Sequence, residues 1–186
     1  MTNYIKSRAF FEKHPTDKKT RTHPIIVCWK LTSPSNIGSI LRLADNMGCT
    51  KVLFVDDEPR FKDRNIKKTA QTSFKAIDWH FCDSSNWKEQ IPKDYKLIAI
   101  ETAEPSYDLY KTNLAERTAF FVGNEKVGLD NSLLQKCEKS IYIPMKGHNK
   151  SMNVSHALTI VLGEWTRQHY YYLSYSALII QSLTVN

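Results

Sequence analysis

With 186 residues and a formal charge of +7, the chain is long enough to bury about 70% of its unfolded surface, so no staple is needed to hold one domain together. Its four cysteines, Cys28, Cys49, Cys82 and Cys137, stand 21, 33 and 55 positions apart; that excludes a CxxC pair and zinc-ligand spacing, and predicts reduced thiols in a cytoplasmic protein with no structural or catalytic metal. The absence of an 18-residue apolar run, and of an apolar leader with a small-residue cleavage site, predicts neither a membrane span nor secretion.

Residues 1 to 22 form a polar, basic N-terminal arm in which SRAFFEKH can make a short helix. Regular structure is expected from His23 to Leu31 (HPIIVCWKL), a β-branched and aromatic run that reads as a buried strand. In the following TSPSNIGSILRLADNMG, Pro34 and Ser35 suit a turn and Ser35 or Asn36 a cap. Ile37, Ile40, Leu41, Ala44 and Met47 then share one helical face before Gly48 ends it. KVLFVD (51–56) predicts a second strand, followed by a basic loop over 60–75. Further strands are expected at 77–81, 96–101 (KLIAIE), 119–122 (AFFV) and 140–143 (SIYI), with a short helix at 130–137 capped by Asp130 or Asn131. Val154, Ala157, Leu158, Val161, Leu162 and Trp165 recur at i, i+3, i+4, i+7, i+8 and i+11, one apolar face of a final helix. From Gln168 to Asn186 no charged side chain occurs, and Tyr170, Tyr171, Tyr172 and Tyr175 cluster in a tail over 169–186. No repeat or linker divides the chain. Buried strands alternating with helices predict an α/β domain spanning 1–186, with a mostly parallel sheet covered by helices on both faces. In such sheets a ligand sits beyond the strand C-termini, where Thr102, Gly123 and Pro144 fall.

The charge is unevenly placed. Residues 1–30 and residues 60–75 each carry an excess of five cations, with Phe10, Phe11, Phe61 and Phe74 interleaved. Arg8, Lys18, Lys19 and Arg21 of the arm, and Arg60, Lys62, Arg64, Lys67 and Lys68 of the second segment, are therefore candidate phosphate-binding residues, though a solvated basic face has the same composition.

Three segments concentrate polar residues beside expected strand ends or helix starts: NIGSILRLADNMG, FVGNEKVGL and IPMKGHNKSMNVSHA. By residue type alone their reading stays open. Arg42 lies nearly opposite the apolar stripe of its helix, where an arginine is usually solvated. Asn36 is as suited to capping as to chemistry. Gly123 permits either a turn or a close backbone approach, and Glu125 shares the ambiguity. GHNKS lacks the GxxxxGK[ST] phosphate-loop pattern, no GxGxxG follows the first strand, and no HxxxH or His/Cys cluster exists.

Together and in this order, the three segments resemble the SpoU (TrmH-like) family of RNA 2'-O-ribose methyltransferases in the SPOUT superfamily. Asn36, Gly38, Arg42 and Ala44 resemble its N-x-G-x-x-x-R-x-A motif. GNEKVGL resembles G-[SN]-E-x-x-G-L, and IPM followed by SMNVSHA resembles IPM…S-L-N-V-S-x-A, the whole covering about residues 24–168. Leu43, Met152 and His156 depart from the usual residues, and none of them removes a supposed catalytic group.

The resemblance implies an α/β sheet whose C-terminal part forms a deep trefoil knot. It implies S-adenosylmethionine bound there, with Thr102, Gly123, Ile143, Met145 and Met152 as cofactor-binding positions. It further implies a homodimer sharing its active site across the interface. Arg42 would either take part in removing the ribose hydroxyl proton, helped by an RNA phosphate, or bind phosphate and stabilise the alkoxide, with Asn36, Glu125, Ser151 and Asn153 orienting it, the ribose or the cofactor. RNA would be the substrate, tRNA favoured over rRNA by the compact chain. A base-methylating enzyme, or a knotted RNA-binding domain without turnover, is the competing expectation.

Overall fold

The computed structural model describes residues 5–14 and 23–171. Seven strands form one sheet: β1 (Ile25–Trp29), β2 (Lys51–Val55), β3 (Asp78–Cys82), β4 (Lys96–Ile100), β5 (Tyr107–Asp108), β6 (Thr118–Val122) and β7 (Lys139–Tyr142). Their order is β3-β2-β1-β6-β4-β7-β5, and every neighbouring pair is parallel. Among the described residues six α-helices accompany them: α1 (Ser7–Lys13), α2 (Pro34–Asn46), α3 (Asp63–Ala70), α4 (Ser73–Ala76), α5 (Asn131–Leu134) and α6 (Val154–Thr166).

The core follows from the period-two alternation of the strands. Ile26, Cys28, Val52, Phe54, Ile98, Phe120, Val122 and Ile141 point to one face, where Ile37, Ile40, Leu41, Ile66, Leu158, Leu162 and Trp165 of α2, α3 and α6 meet them. Ile25, Val27, Trp29, Leu53, Val55, Ala99, Ala119 and Phe121 point to the other, covered by Trp87, Ile91, Leu129 and Leu133. Each fully buried Ile, Leu or Phe contributes about 1.5–3 kcal/mol relative to exposure. The two faces are unequal. Long helices cover the first, whereas a 3-10 turn at Trp87–Gln90 and the four-residue α5 serve the second.

Local chemistry sets the helix ends. α2 begins earlier than the turn expected at Pro34 and Ser35: Pro34 is its first residue and Ser33 its cap, the Ser33 hydroxyl accepting from the Asn36 N–H at 3.3 Å. Proline has no N–H to lose at that position and a backbone angle already suited to the helix. At the far end the Gly48 N–H reaches the Asp45 carbonyl and the Cys49 N–H the Ala44 carbonyl, a Schellman closure. Asp130 caps α5 through the Leu133 N–H at 2.8 Å.

The segment 60–75 is not a loop. Residues 63–70 are helical because Ile66 and Ala70, four apart, bury against α2, with Asp63 in the first turn and Lys67 and Lys68 in the last, as the helix dipole favours. α3 approaches α2 over Gly38, where a Cβ would come within 2.7 Å of the Thr69 Cβ and 2.8 Å of the Ile66 carbonyl oxygen. The last helix continues through a π turn at Arg167–Tyr171. Among the described residues no helix is long and apolar enough to cross a membrane.

Candidate active site

Beyond the C-terminal ends of β4, β6 and β7 lies a cleft of about 450 Å³. Its apolar wall comes from Ile100, Val122, Ile141, Ile143, Met145 and Ala157, and its rim from Glu101, Glu125, Lys126, Lys150 and Asn153. The expected cofactor positions Thr102, Gly123, Ile143, Met145 and Met152 all line it, as do Glu125, Ser151 and Asn153. Asn36 and Arg42 do not.

The loop after β6 is held by its own backbone. Asn124 and Gly128 exchange N–H···O bonds of 3.2 and 2.9 Å, and the Asn124 carboxamide oxygen accepts from the Lys126 and Val127 N–H groups. The Asn124 Nδ2 donates to the Lys30 carbonyl at 2.6 Å, tying the loop to the end of β1. A Cβ at Gly123 would lie 2.3 Å from the Gly128 carbonyl carbon. Glycine is thus demanded there by the close approach of the loop's own returning strand. Glu101, which residue reading did not single out, fixes the same loop: its carboxylate accepts from the Leu129 N–H at 3.0 Å and from the Thr102 N–H at 2.9 Å. The missed signal was a carboxylate at the end of KLIAIE followed by GNEKVGL, whose free N–H groups need an acceptor.

Glu125, carried at the tip of this loop, reaches across to the start of α2. Its carboxylate accepts from the Thr32 N–H and hydroxyl, each at 2.9 Å, from the Ser33 N–H at 3.1 Å and from the Asn36 Nδ2 at 2.8 Å. Partial burial pushes the carboxyl up, but the donors of Thr32 and Asn36 outweigh it and hold the group below its ordinary value. Glu125 is therefore ionised at neutral pH and acts as an acceptor. The Asn36 Oδ1 in turn accepts from the Asn153 Nδ2 at 3.0 Å, and the Asn153 Oδ1 caps α6 through the Ser155 N–H at 2.9 Å and the Ser155 hydroxyl at 2.7 Å. Asn36, Glu125 and Asn153, drawn from three distant segments, thus form one hydrogen-bonded chain beside the cleft.

Ser151 donates its N–H and hydroxyl to the Asn149 Oδ1, and the Lys150 ammonium closes the loop on the Met145 carbonyl at 2.9 Å. Arg42 stands apart. It is six residues beyond Asn36 on α2, about 9 Å along the axis and about 120° around it. It is exposed, and among the described residues it has no hydrogen-bond or ion-pair partner.

Of the basic candidates, Arg60, Lys62, Arg64, Lys67 and Lys68 are all exposed. Arg60 pairs with Glu58 at 2.7 Å, and Lys67 with Asp63 at 3.5 Å while lying 4.7 Å from the Phe74 ring centre. Arg8 lies in α1. Lys18, Lys19, Arg21 and the tail beyond Tyr171 fall outside the described residues. The thiols offer no nucleophile: burial pushes Cys49 and Cys137 up to about 12, and burial reinforced by the Glu125 charge raises Cys28 well above its ordinary value. Among the described residues no three His, Cys, Asp or Glu side chains gather as a metal would require.

A family model described as SpoU rRNA Methylase family matches residues 23–163. The chain is 31% identical over 139 residues to the 23S rRNA (guanosine-2'-O-)-methyltransferase RlmB of Neisseria meningitidis, covering 74% of this chain and 56% of that protein. It is 26% identical to the tRNA (guanosine(18)-2'-O)-methyltransferase of Saccharomyces cerevisiae, covering 84% of this chain and 11% of that one. It thus spans about half the length of the bacterial relative and a small part of the yeast one. In fold it is similar to the SpoU methyltransferase AviRb from Streptomyces viridochromogenes in complex with AdoMet, with a TM-score of 0.73 over 82% of this chain and 60% of that one at 23% identity.

Proposed function

The chain belongs to the SpoU rRNA Methylase family, and on that premise we propose that it transfers a methyl group from S-adenosylmethionine to a ribose 2'-hydroxyl of RNA. The observation that carries this reading is the convergence of Asn36, Glu125 and Asn153 on one edge of a half-apolar cleft at the strand ends. The cleft suits the cofactor: its volume lies within the range of about 300–1,000 Å³ usual for small-molecule sites, and it joins an aliphatic wall to carboxylate, amide and ammonium groups. Ile100, Ile143, Met145 and Met152 would hold the flat apolar part of the cofactor, with Thr102 and Gly123 at the strand ends. When bound, S-adenosylmethionine supplies a methyl group already activated by positive sulfur.

What remains for the protein is alignment and stabilisation of the hydroxyl oxygen. Glu125 holds the Asn36 amide in one orientation, and Asn153 completes that alignment. Arg42 stabilises the developing alkoxide and a neighbouring RNA phosphate through its paired N–H donors. A guanidinium, as a fixed cation, is better suited to that than to taking the hydroxyl proton, which passes to the neighbouring RNA phosphate or to water. Because Arg42 lies outside its own chain's cleft, we place it in the cleft of a second copy, in a homodimer of the symmetric kind that most oligomers form. Ser151 borders the cleft where the ribose enters.

We read residues 1–186 as one methyltransferase domain, a cytoplasmic protein whose basic arm and 60–75 segment hold RNA. The C-terminal segment is proposed to be threaded as a trefoil knot. Supporting this, β7 lies between β4 and β5, which the chain joins earlier through residues 101–106. A knot of this kind is an exception to the general rule of unthreaded chains. Both rRNA and tRNA are represented among the relatives; tRNA is proposed first.

The test is to incubate the protein with bulk tRNA or bulk rRNA and methyl-labelled S-adenosylmethionine, map the labelled nucleotide, and repeat with that nucleotide as its 2'-deoxy form. The deoxy RNA is expected to accept no methyl. Undiminished acceptance would assign the chemistry to a base.

A further inference from the structure

A second groove, of about 510 Å³, opens beside the first and shares none of its lining residues. It runs from the end of β1 (Leu31, Thr32) and the start of α2 (Pro34), past the end of β2 (Asp56, Glu58), to the segment Arg60–Asn65 that enters α3. We propose that this groove seats the RNA nucleotide adjoining the methylated one, its phosphate held by Lys62 and Arg64; the inference rests on the RNA methyl-transfer reading of the cleft and adds to it the course of the strand.

Position is the first support. Both openings lie at the C-terminal edge of the same parallel sheet, and a direct contact joins their linings: Thr32 lines the groove and donates at 2.9 Å to Glu125, which lines the cleft. A strand whose ribose faces the cleft therefore has its next residue over the groove.

Charge is the second. Two carboxylates border the groove, yet Glu58 is already spent on Arg60 at 2.7 Å, and Asp56 accepts the Glu58 N–H at 3.1 Å. Lys62 and Arg64 are exposed and, among the described residues, have no ion-pair partner. They are the cations left for a phosphate, and Lys68 extends the same basic helix.

The third is the groove's apolar lining. Phe61 lines the groove half-buried and stacks on Phe81 with ring centres 5.8 Å apart and planes 15° from parallel. Together with Leu31 it gives an apolar side against which the sugar or base of that nucleotide packs.

The experiment compares the full chain with two double variants carrying the same charge change. Lys62→Glu with Arg64→Glu alters the groove. Lys93→Glu with Lys136→Glu alters exposed lysines in a depression at the opposite end of β4. With bulk tRNA and bulk rRNA as probes, the groove variant is expected to lose at least tenfold in kcat/KM, keep its S-adenosylmethionine affinity and melting temperature, and lower the salt slope of RNA binding by about 0.7–0.9, the share of one phosphate. The control pair is expected to change kcat/KM less than threefold. Equal losses in both pairs, or none in the groove pair, would overturn the groove assignment. A wild-type protein that binds RNA but transfers no methyl would instead overturn the underlying reading, so the two failures are distinguishable.

Discussion

Asn36 and Arg42 come from one motif on one helix, yet the structure treats them oppositely. Asn36 is half-buried, with its amide nitrogen on Glu125 and its oxygen facing Asn153, so its orientation is fixed from both sides. Arg42, less than two turns away, is exposed and without a partner among the described residues. One half of the motif is complete within a single chain and the other is not. A guanidinium left in water contributes little to the fold, so its use, on the reading above, lies in what docks against it: RNA, a second copy, or both.

The largest expected effect sharpens that contrast. Arg42→Ala is expected to lower methyl transfer by about 100–1,000-fold, the usual cost of removing a donor to a developing oxyanion. S-adenosylmethionine affinity by calorimetry and the melting temperature are expected to stay unchanged, since the side chain is exposed and unpaired. An unaltered rate would remove Arg42 from the mechanism. Mixing Arg42→Ala protein with Glu125→Ala protein is then expected to restore about a quarter of the wild-type rate after subunit exchange, because half the dimers are mixed and each holds one intact composite site. No recovery would return Arg42 to its own chain.

A third substitution acts on the finished half. In Gly123→Ala the new methyl meets the backbone of Gly128 and Leu129, which cannot retreat without opening the loop that carries Glu125. A cost of about 1–3 kcal/mol is expected, lowering the melting temperature by about 2–4 °C per kcal/mol in a chain of this size, together with at least tenfold weaker cofactor binding. A variant with wild-type melting and affinity would show the loop to be looser than its hydrogen bonds indicate.

The smallest effect is the pH dependence at Glu125. Its folded carboxyl lies below the ordinary 4.5, so its contribution to stability is fully present above that value and is lost as pH falls through the depressed one. Urea midpoints of wild type and Glu125→Gln are expected to differ modestly at pH 7, the group being largely solvated, and to converge as pH drops below 4.5. A gap constant down to pH 3 would contradict the ionised network.

The central strands were legible because they are β-branched or aromatic runs long enough to be buried on both faces, as Ile25–Trp29 and Thr118–Val122 show. α6 was legible because its apolar residues keep a helical period. α3 was not: six cations over 60–75 hide a helical spacing of Ile66, Thr69, Ala70, Ser73 and Phe74, and the stripe is only two turns long. β5, two residues at the sheet edge, carries no periodic signal at all.

At the site, the cleft-lining positions followed from the rule of strand C-termini and from resemblance, and the structure gathers them in one place. The physical reason for Gly123 was not readable, since it depends on Gly128 returning to within van der Waals contact. Glu101 and Thr32 escaped for a similar cause: each acts by accepting or donating to groups brought near only by folding, Leu129 in one case and Glu125 in the other. The position of Arg42 outside its own cleft was equally invisible, because a helical wheel fixes angle relative to the core and not distance from a ligand.

The most direct test of ribose chemistry is alkaline hydrolysis of RNA labelled by this protein with methyl-labelled S-adenosylmethionine. A 2'-O-methyl group blocks cleavage of the adjoining phosphodiester, so the label is expected in alkali-resistant dinucleotides. Label recovered only in mononucleotides would contradict the account, because it would place the methyl on a base and leave Arg42 without a hydroxyl to act upon.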